Sequence, residues 1–520
     1  MPSQLFRNPN STSRIIIMDA TAYHNLTSYS RYDMTPHRLD WAHVPLLQKV
    51  YGKLPITRLK PPKVLPDASF TEVLGGQEAG DSLRPTLGLQ NLSAILMLAN
   101  GITAQRRYGS QTQFYRSAPS AGALYPNETY VAAESVAGLA PGIYNHQVMD
   151  ASLIALQKGL FIHQVRSALA METRGLPAVS LPITGIFFRS AWKYRDRAFR
   201  YVLLDAGHLI ENLVLVASAN GYAYSVHYDF DDNAMARLLG IDPKREACLA
   251  VVNLYTRKEV SGRVPEGAEA ETQALPESLA AASRTSTAEI QYEAIQEVCT
   301  AGNTIKTGEA RTMQAYPVAG NTPQAWFPVR EENNWPEKQS LVESMLLRRS
   351  RRNFMPIPML TSQAMRLMQS LCLNRGQAAD EGFVHNGCMT PGIAAINIEA
   401  FDPGVYLLDT REKAYSLVEG GSSGKNVARV CLDQEWLRNG SLHFLFMANL
   451  QQVDRHLGAR GYRYAMLNAG RAGQRIYLAA TVLGLGACGI GALYDAEARQ
   501  MLALNDKSSL LYLVGVGNIK

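Results

Sequence analysis

Apolar residues recur at helical spacing over two long stretches, RDRAFRYVLLDAGHLIENLVLVASANGY from Arg195 and GARGYRYAMLNAGRAGQRIYLAATVLGL from Gly458. Each predicts a long helix, and after each the pattern reads as a Gly-containing turn, a short strand, another helix and a β-branched strand. Gly458 follows Arg195 by 263 residues. At that spacing Arg197, Arg200, Tyr201, Leu204, Ala206 and Gly207 return as Arg460, Arg463, Tyr464, Leu467, Ala469 and Gly470. The spacing carries on downstream without a gap, setting Asp232 on Asp495 and the apolar run CLAVVNL from Cys248 on the apolar run from Leu511. A repeat this long is no solenoid period; it predicts two homologous α+β domains packed about a pseudo-twofold axis, so that the chain carries its own dimer.

Between the copies the composition shifts to Ala, Ser, Thr, Glu and Pro, as in VPEGAEAETQALPESLAAASRTST, which reads as a linker. The resulting division is a disordered extension over 1–19, a first domain over 20–256, a linker region over 257–339 and a second domain over 340–520. Within the linker, TAEIQYEAIQEV from Thr287 is a candidate helix, and the next helix is expected to begin near Pro336.

Composition narrows the class. With 47% hydrophobic and 18% charged residues in 520, disordered and fibrous proteins are excluded. The net charge of +6 is dispersed; it favours an anionic ligand and, lacking a basic tract or nucleic-acid motif, argues against nucleic acid. The six cysteines lie far apart with no CxxC pair, so no metal site is expected. No secretory signal is legible, and no apolar run approaches the roughly twenty residues that span a bilayer. The expectation is a cytoplasmic protein without a membrane partner.

Three motifs offer chemistry. RRSRRNF from Arg348 presents guanidinium forks and a hydroxyl near a predicted helix start, which suits either a phosphate or a solvated basic turn. PSAGALYP from Pro119 has small residues that let the backbone approach a flat ligand, with Ser120 able to donate a hydrogen bond; a plain loop before a strand reads the same way. Lys193 and Tyr194 sit among Arg189, Arg195, Arg197 and Arg200, a cluster able to depress the pKa of either neighbour or simply to form a charged helix face. His208 reads as a satisfied helix histidine and Tyr125 as packing.

These motifs, with LDWAHVPLLQKVY from Leu39, resemble the SagB-type dehydrogenases, the azoline-oxidase branch of the nitroreductase superfamily, over most of residues 20–256 and 340–520. The resemblance implies a nitroreductase-like α+β fold in two tandem copies and FMN as the cofactor. It also implies catalytic acid/base roles for Lys193 and Tyr194. Flavins in this family lie at the dimer interface. One site would therefore take Arg348, Ser350, Arg352, Gly489, Ile490 and Gly491 from the second copy, and Pro119, Ser120, Ala121, Gly122, Ala123 and Leu124 from the first. Lys520 would replace the basic C-terminal extension common in relatives.

The reciprocal site is expected to be degenerate. Where it needs R-x-S-x-R the chain reads LPDASFTEVLGGQEAGD, and His456 and Leu457 stand where Lys193 and Tyr194 stand in the first copy. Three functions compete. The resemblance implies oxidation of azoline rings in a modified peptide to azoles, beside a peptide-modifying cyclodehydratase, by proton removal and hydride transfer. The alternatives are an NAD(P)H-dependent reductase of nitro or quinone compounds and a non-catalytic partner in a peptide-modifying complex.

Overall fold

The computed structural model describes residues 18–34, 37–75, 86–109, 111–171, 175–256, 277–306, 317–323, 325–336, 340–373 and 385–520. The segment before Met18 and residues 257–276 of the expected linker lie outside them.

Two seven-stranded sheets form the frame. The first contains β1 (Ile56–Arg58), β2 (Asn127–Ala133), β3 (Gly142–Gln147), β4 (Ser152–Lys158), β5 (Val179–Ile186), β6 (Ala223–His227) and β7 (Glu246–Tyr255), in the order β1-β4-β3-β2-β5-β7-β6. The second contains β8 (Trp326–Pro328), β9 (Thr390–Ala395), β10 (Gly404–Asp409), β11 (Ala414–Gly420), β12 (Leu442–Asn449), β13 (Gly486–Ile490) and β14 (Ser508–Gly517), in the order β8-β11-β10-β9-β12-β14-β13. Strand for strand, the two orders are the same. The central strands β2, β3, β5 and β12 are buried along their whole length, because helices cover both faces of each sheet and leave no solvent side to mark with polar residues.

The repeated helices meet at the centre. α1 (Phe187–Tyr194) and α2 (Ala198–Ala219) belong to the first copy, α3 (Leu450–Leu457) and α4 (Arg460–Val482) to the second. α2 and α4 cross where Gly207 faces Gly470. A Cβ on Gly207 would lie 2.3 Å from the Leu467 carbonyl oxygen, and one on Gly470 would lie 2.3 Å from that of Leu204, so only glycine permits this approach. One continuous apolar core runs through both copies, from Val202 and Leu213 to Leu467 and Leu478.

Ion pairs are exchanged across the same axis. Arg197 and Arg200 bond Asp495, each at 2.8 Å, while Arg460 and Arg463 bond Asp232. The aspartates cap the interface from the opposite copy, which explains why these three positions, two arginines and an aspartate, recur in the repeat. One carboxylate for two buried arginines offsets their desolvation only because each guanidinium has further acceptors, Arg197 and Arg200 on Thr27, Arg460 on the Tyr228 carbonyl and Arg463 on that of Cys248.

Three expectations need correction. The spacing is not gap-free: β5 pairs with β7 at Val179 and Leu254, and β12 with β14 at Leu442 and Val516, so the last strands correspond at 262 residues, and one residue is lost after Asp495. β8 pairs with β11 ahead of residue 340, so part of the expected linker is an edge strand of the second sheet; the helix within the linker runs over Glu293–Ala301 and not from Thr287. Finally, the run Phe187–Ala219 is apolar enough to cross a membrane by length and composition, yet 89% of its most apolar window is buried inside the protein. It is a core helix.

Candidate active site

A cleft of about 180 Å³ opens between the copies. One wall is the loop Pro119–Gly122 with Tyr194, Tyr201, Leu204, Asp205 and His208 from the first copy. The other comprises Ser350, Arg352, Gln434, Tyr477, Tyr512 and the segment Cys488–Ala492 from the second. Of the expected residues, Pro119, Ser120, Ala121, Gly122, Tyr194, Ser350, Arg352, Gly489, Ile490 and Gly491 line it.

Arg348, Ala123, Leu124, Lys193 and Lys520 are not in the lining. Leu124 packs against Phe188 and Trp192, and Lys520 is exposed at the end of the chain. Lys193 borders the cleft: a Cβ placed on Gly122 would lie 3.3 Å from its Nζ and 2.9 Å from Tyr194 Oη.

RRSRRNF lies at a helix end, not a helix start. Arg348 caps the C-terminus of the helix Leu341–Leu347, and Ser350 forms a parallel bridge with Ala487. The motif therefore offers an anion its side chains and not the N-terminus of the helix Leu341–Leu347. Arg348 is buried, donating from Nε to the Ser117 carbonyl at 2.7 Å and from Nη2 to the Arg116 carbonyl at 2.9 Å. Its Nη1 has no partner, an orphaned donor on a buried cation. Arg352 is exposed and reaches the cleft. Tyr477 Oη accepts from the Gly489 N–H at 2.6 Å and lies 2.9 Å from Ser350 Oγ; its own proton can go to Ser350, leaving the serine hydroxyl hydrogen for a ligand. Two guanidiniums, a hydroxyl and facing runs of small-residue backbone fit a flat ligand with a phosphate tail.

The opposite wall is held by one carboxylate. The loop takes positive φ at Gly122, Ala123 and Tyr125 (66°, 55° and 47°), a strained path for the last two. Ser120 Oγ donates to Asp205 at 2.5 Å and accepts from the Tyr125 N–H at 2.9 Å, and the Ala121 N–H donates to Asp205 at 3.2 Å. Ser120 therefore spends its proton on Asp205, in contrast to the expectation that it donates to a ligand. Burial pushes the Asp205 carboxyl up to about 7.

α1 ends at Arg195, which adopts a φ of 49° where the second copy has Gly458 at 66°. That break sets Lys193 and Tyr194 at the mouth of the cleft. Burial, then Arg352, lowers the Lys193 pKa. Burial raises that of Tyr194, contrary to the depression expected from the basic cluster. The cluster does not act as one field, because Arg189 pairs with Glu128 at 2.6 Å and Arg197 and Arg200 are spent on Asp495. Trp192 donates to the Asp40 carbonyl at 3.0 Å and Arg189 to that of Leu46 at 2.8 Å, so LDWAHVPLLQKVY is a strap that fixes α1.

Asp205, Tyr201, Tyr477 and Tyr512 are not legible in the sequence as site residues, and His208 reads there as a satisfied helix histidine. His208 lines the cleft with its ring bonded to Gln474 at 2.8 Å and Tyr512 at 3.0 Å; burial holds it down to about 3, a neutral imidazole. The signal available was divergence within the repeat: 263 residues on, Asp205 becomes Asn468 and His208 becomes Arg471.

The reciprocal position is filled by side chains. Arg471 and Arg475 bond Glu211 at 2.9 and 2.8 Å, Tyr228 stacks on Tyr464 at 5.9 Å, and Asn468 accepts from Tyr228 at 3.2 Å. His456 and Leu457 end α3 as Lys193 and Tyr194 end α1. The stretch that lacks R-x-S-x-R lies partly outside the described residues.

The Nitroreductase family matches residues 84–254 and 398–518, over half of the sequence, and the chain belongs to that family. It is thereby an oxidoreductase by class. A nitroreductase-like protein of Methanocaldococcus jannaschii is 31% identical over 156 residues, 30% of this chain and 75% of that protein. The chain is also 28% identical to the trifolitoxin-processing protein TfxB of Rhizobium leguminosarum over 31% of its length, and 29% identical to the microcin B17-processing protein McbC of Escherichia coli over 26%. It spans about half of those two, 46% and 52%. A solved nitroreductase-like structure from Anabaena variabilis aligns with a TM-score of 0.77 at 26% identity, over 96% of this chain and 99% of that one. That alignment runs through both copies.

Proposed function

We propose that the protein is an FMN-dependent dehydrogenase with one working site between its fused copies, oxidising azoline rings in a modified peptide to azoles. The observation that carries this is the meeting of Lys193 Nζ and Tyr194 Oη beside Gly122, across the cleft from Ser350 and Arg352. The likeness to two peptide-processing proteins supports the substrate class. A peptide-modifying cyclodehydratase is the natural supplier of such a ring.

FMN, when bound, supplies a two-electron acceptor for the substrate hydride. Arg348 Nη1, Arg352 and Ser350 would hold its phosphate, and Pro119–Gly122 would face its ring. The two residues at the mouth differ in their proton chemistry. Lys193, with its pKa lowered, gives up its proton more readily and serves as the base that takes the substrate ring proton. Tyr194, with its pKa raised, keeps its proton and orients the substrate as a donor.

The test uses the flavin-loaded protein and a thiazoline- or oxazoline-containing peptide with dioxygen as the final acceptor. Lys193→Ala and Tyr194→Phe should keep the yellow cofactor while turnover falls by roughly a hundredfold to ten-thousandfold. His456→Ala and Leu457→Ala, at the equivalent end of α3, should leave the rate nearly unchanged. Equal losses at both pairs would point to a folding effect and remove the catalytic assignment.

A further inference from the structure

The Asp205 carboxyl is buried at the floor of the cleft and no cation offsets that burial. Its polar neighbours in the first copy are Ser120 and the Ala121 N–H. Tyr201 and His208 flank it on α2, and Tyr194 faces it from α1. Arg116 and Tyr125 share a small void with it behind the loop. From the second copy, Arg352, Tyr477, Cys488 and Tyr512 line the same cleft, and the Arg348 guanidinium lies 5.4 Å from the Tyr477 ring centroid. His208 is already neutral, and burial holds Tyr194, Tyr477 and Tyr512 protonated. Lys193 Nζ also meets the loop at Gly122, with its pKa lowered by burial and Arg352, but Asp205 is the titrating group that is hydrogen-bonded to the loop's Ser120 and Ala121, and its charge changes near neutral pH.

Proton counting at Ser120 gives that change a consequence. A hydroxyl has one hydrogen and two lone pairs. Ser120 Oγ already accepts from the Tyr125 N–H at 2.9 Å. While Asp205 is ionised, the serine hydrogen must go to the carboxylate, and nothing remains to donate into the cleft. Once Asp205 carries a proton, the 2.5 Å bond is satisfied with the acid as donor, and the Ser120 hydrogen is released towards the ligand.

We propose that Asp205 is a positioning residue that acts through Ser120, its proton switching the serine hydroxyl from carboxylate clamp to ligand donor. This rests on the flavin reading above. In the filled reciprocal position the equivalent of Asp205 is Asn468, which cannot titrate and whose amide lies against Cys388 Sγ at 3.8 Å.

The experiment titrates riboflavin, which lacks a phosphate of its own to ionise, into flavin-free protein from pH 5.5 to 8.5. Riboflavin affinity should fall roughly three- to tenfold as pH rises through 7, the worth of one neutral hydrogen bond. Asp205→Asn keeps the shape and should bind at every pH as tightly as the wild type does at the acid end. Ser120→Ala should bind weakly and show no pH dependence. A wild-type pH dependence that survives in either variant would overturn the proposal, as would its absence from the wild type. A second readout needs no flavin: the infrared band of a protonated buried carboxyl should vanish as pH passes 7 and be missing from Asp205→Asn. If that band is absent or unchanged across the range, the switch does not exist. If riboflavin and FMN fail to bind at any pH while the band titrates, the flavin reading is what fails, and with it the role of Ser120 as a flavin donor.

Discussion

Arg348 and Arg352 belong to one motif but are placed for different work. Arg348 is buried and holds two carbonyls of the first copy, so it joins the copies as well as offering a free Nη1. Arg352 is exposed, and its guanidinium lies 5.8 Å from the Trp436 ring centroid. Arg352→Ala should therefore weaken FMN by roughly one to two decades, the value of a charge-assisted hydrogen bond, and leave the melting temperature unchanged. Riboflavin should hardly notice the substitution. Arg348→Ala should lower both FMN affinity and stability, since it strands two buried carbonyls. Titration of both flavins into each variant, with thermal melts alongside, checks this; equal losses for FMN and riboflavin in Arg352→Ala would place the phosphate elsewhere. The motif was legible in the sequence as a phosphate candidate. The division of labour was not, because it depends on which guanidinium the opposite copy buries.

At the scale of elements, the repeat is nearly symmetric in structure and asymmetric in chemistry. Asp495 and Asp232 each bind two arginines across the axis, and breaking either buried cluster should cost about 3–5 kcal/mol. Only the Asp495 cluster touches the cleft, because Arg197 also donates to the Gly491 carbonyl at 3.0 Å. Asp495→Asn and Asp232→Asn should thus melt at similarly lowered temperatures, yet only Asp495→Asn should release flavin more readily in the folded state. Equal flavin loss in both would mean that the interface responds as a whole. Two homologous copies packed about a pseudo-twofold axis were readable from the apolar spacing and the 263-residue repeat; the ion pairs were not, although the repeat set Asp232 on Asp495. The missing residue before β14, the edge strand β8 and the helix end at Arg348 were not: each is fixed by sheet register or by contacts with the other copy, and local pattern carries neither. Asp205 stayed hidden for the same reason, since its burial and its hold on Ser120 are tertiary facts.

For the whole molecule, buried histidines set the response to acid. Burial holds His24, His146 and His208 down to about 3 and His443 to about 4. Below their ordinary 6.5 and above those values, the unfolded chain binds more protons than the folded one, so stability present above pH 6.5 is lost as pH falls. Asp205, pushed up to about 7, works the other way between 7 and its ordinary 3.8, as do the half-buried carboxyls of Glu134, Asp196, Glu289 and Asp454, which burial also raises; the four fully buried histidines outweigh them. The melting temperature should fall from pH 6.5 to pH 4. Neither ring nitrogen of His443 has a partner, so His443→Leu should raise the melting temperature more at pH 5 than at pH 8; equal gains at both would assign the effect to packing alone.

The central claim is that fusion has left one working flavin site per chain, with the second filled by Glu211, Arg471, Arg475 and their neighbours. Its most direct test is stoichiometry: protein saturated with FMN and freed of excess, the flavin then released by heat and quantified against chain concentration. The account predicts one FMN per chain, and a ratio near two, or near zero after saturation, would contradict it.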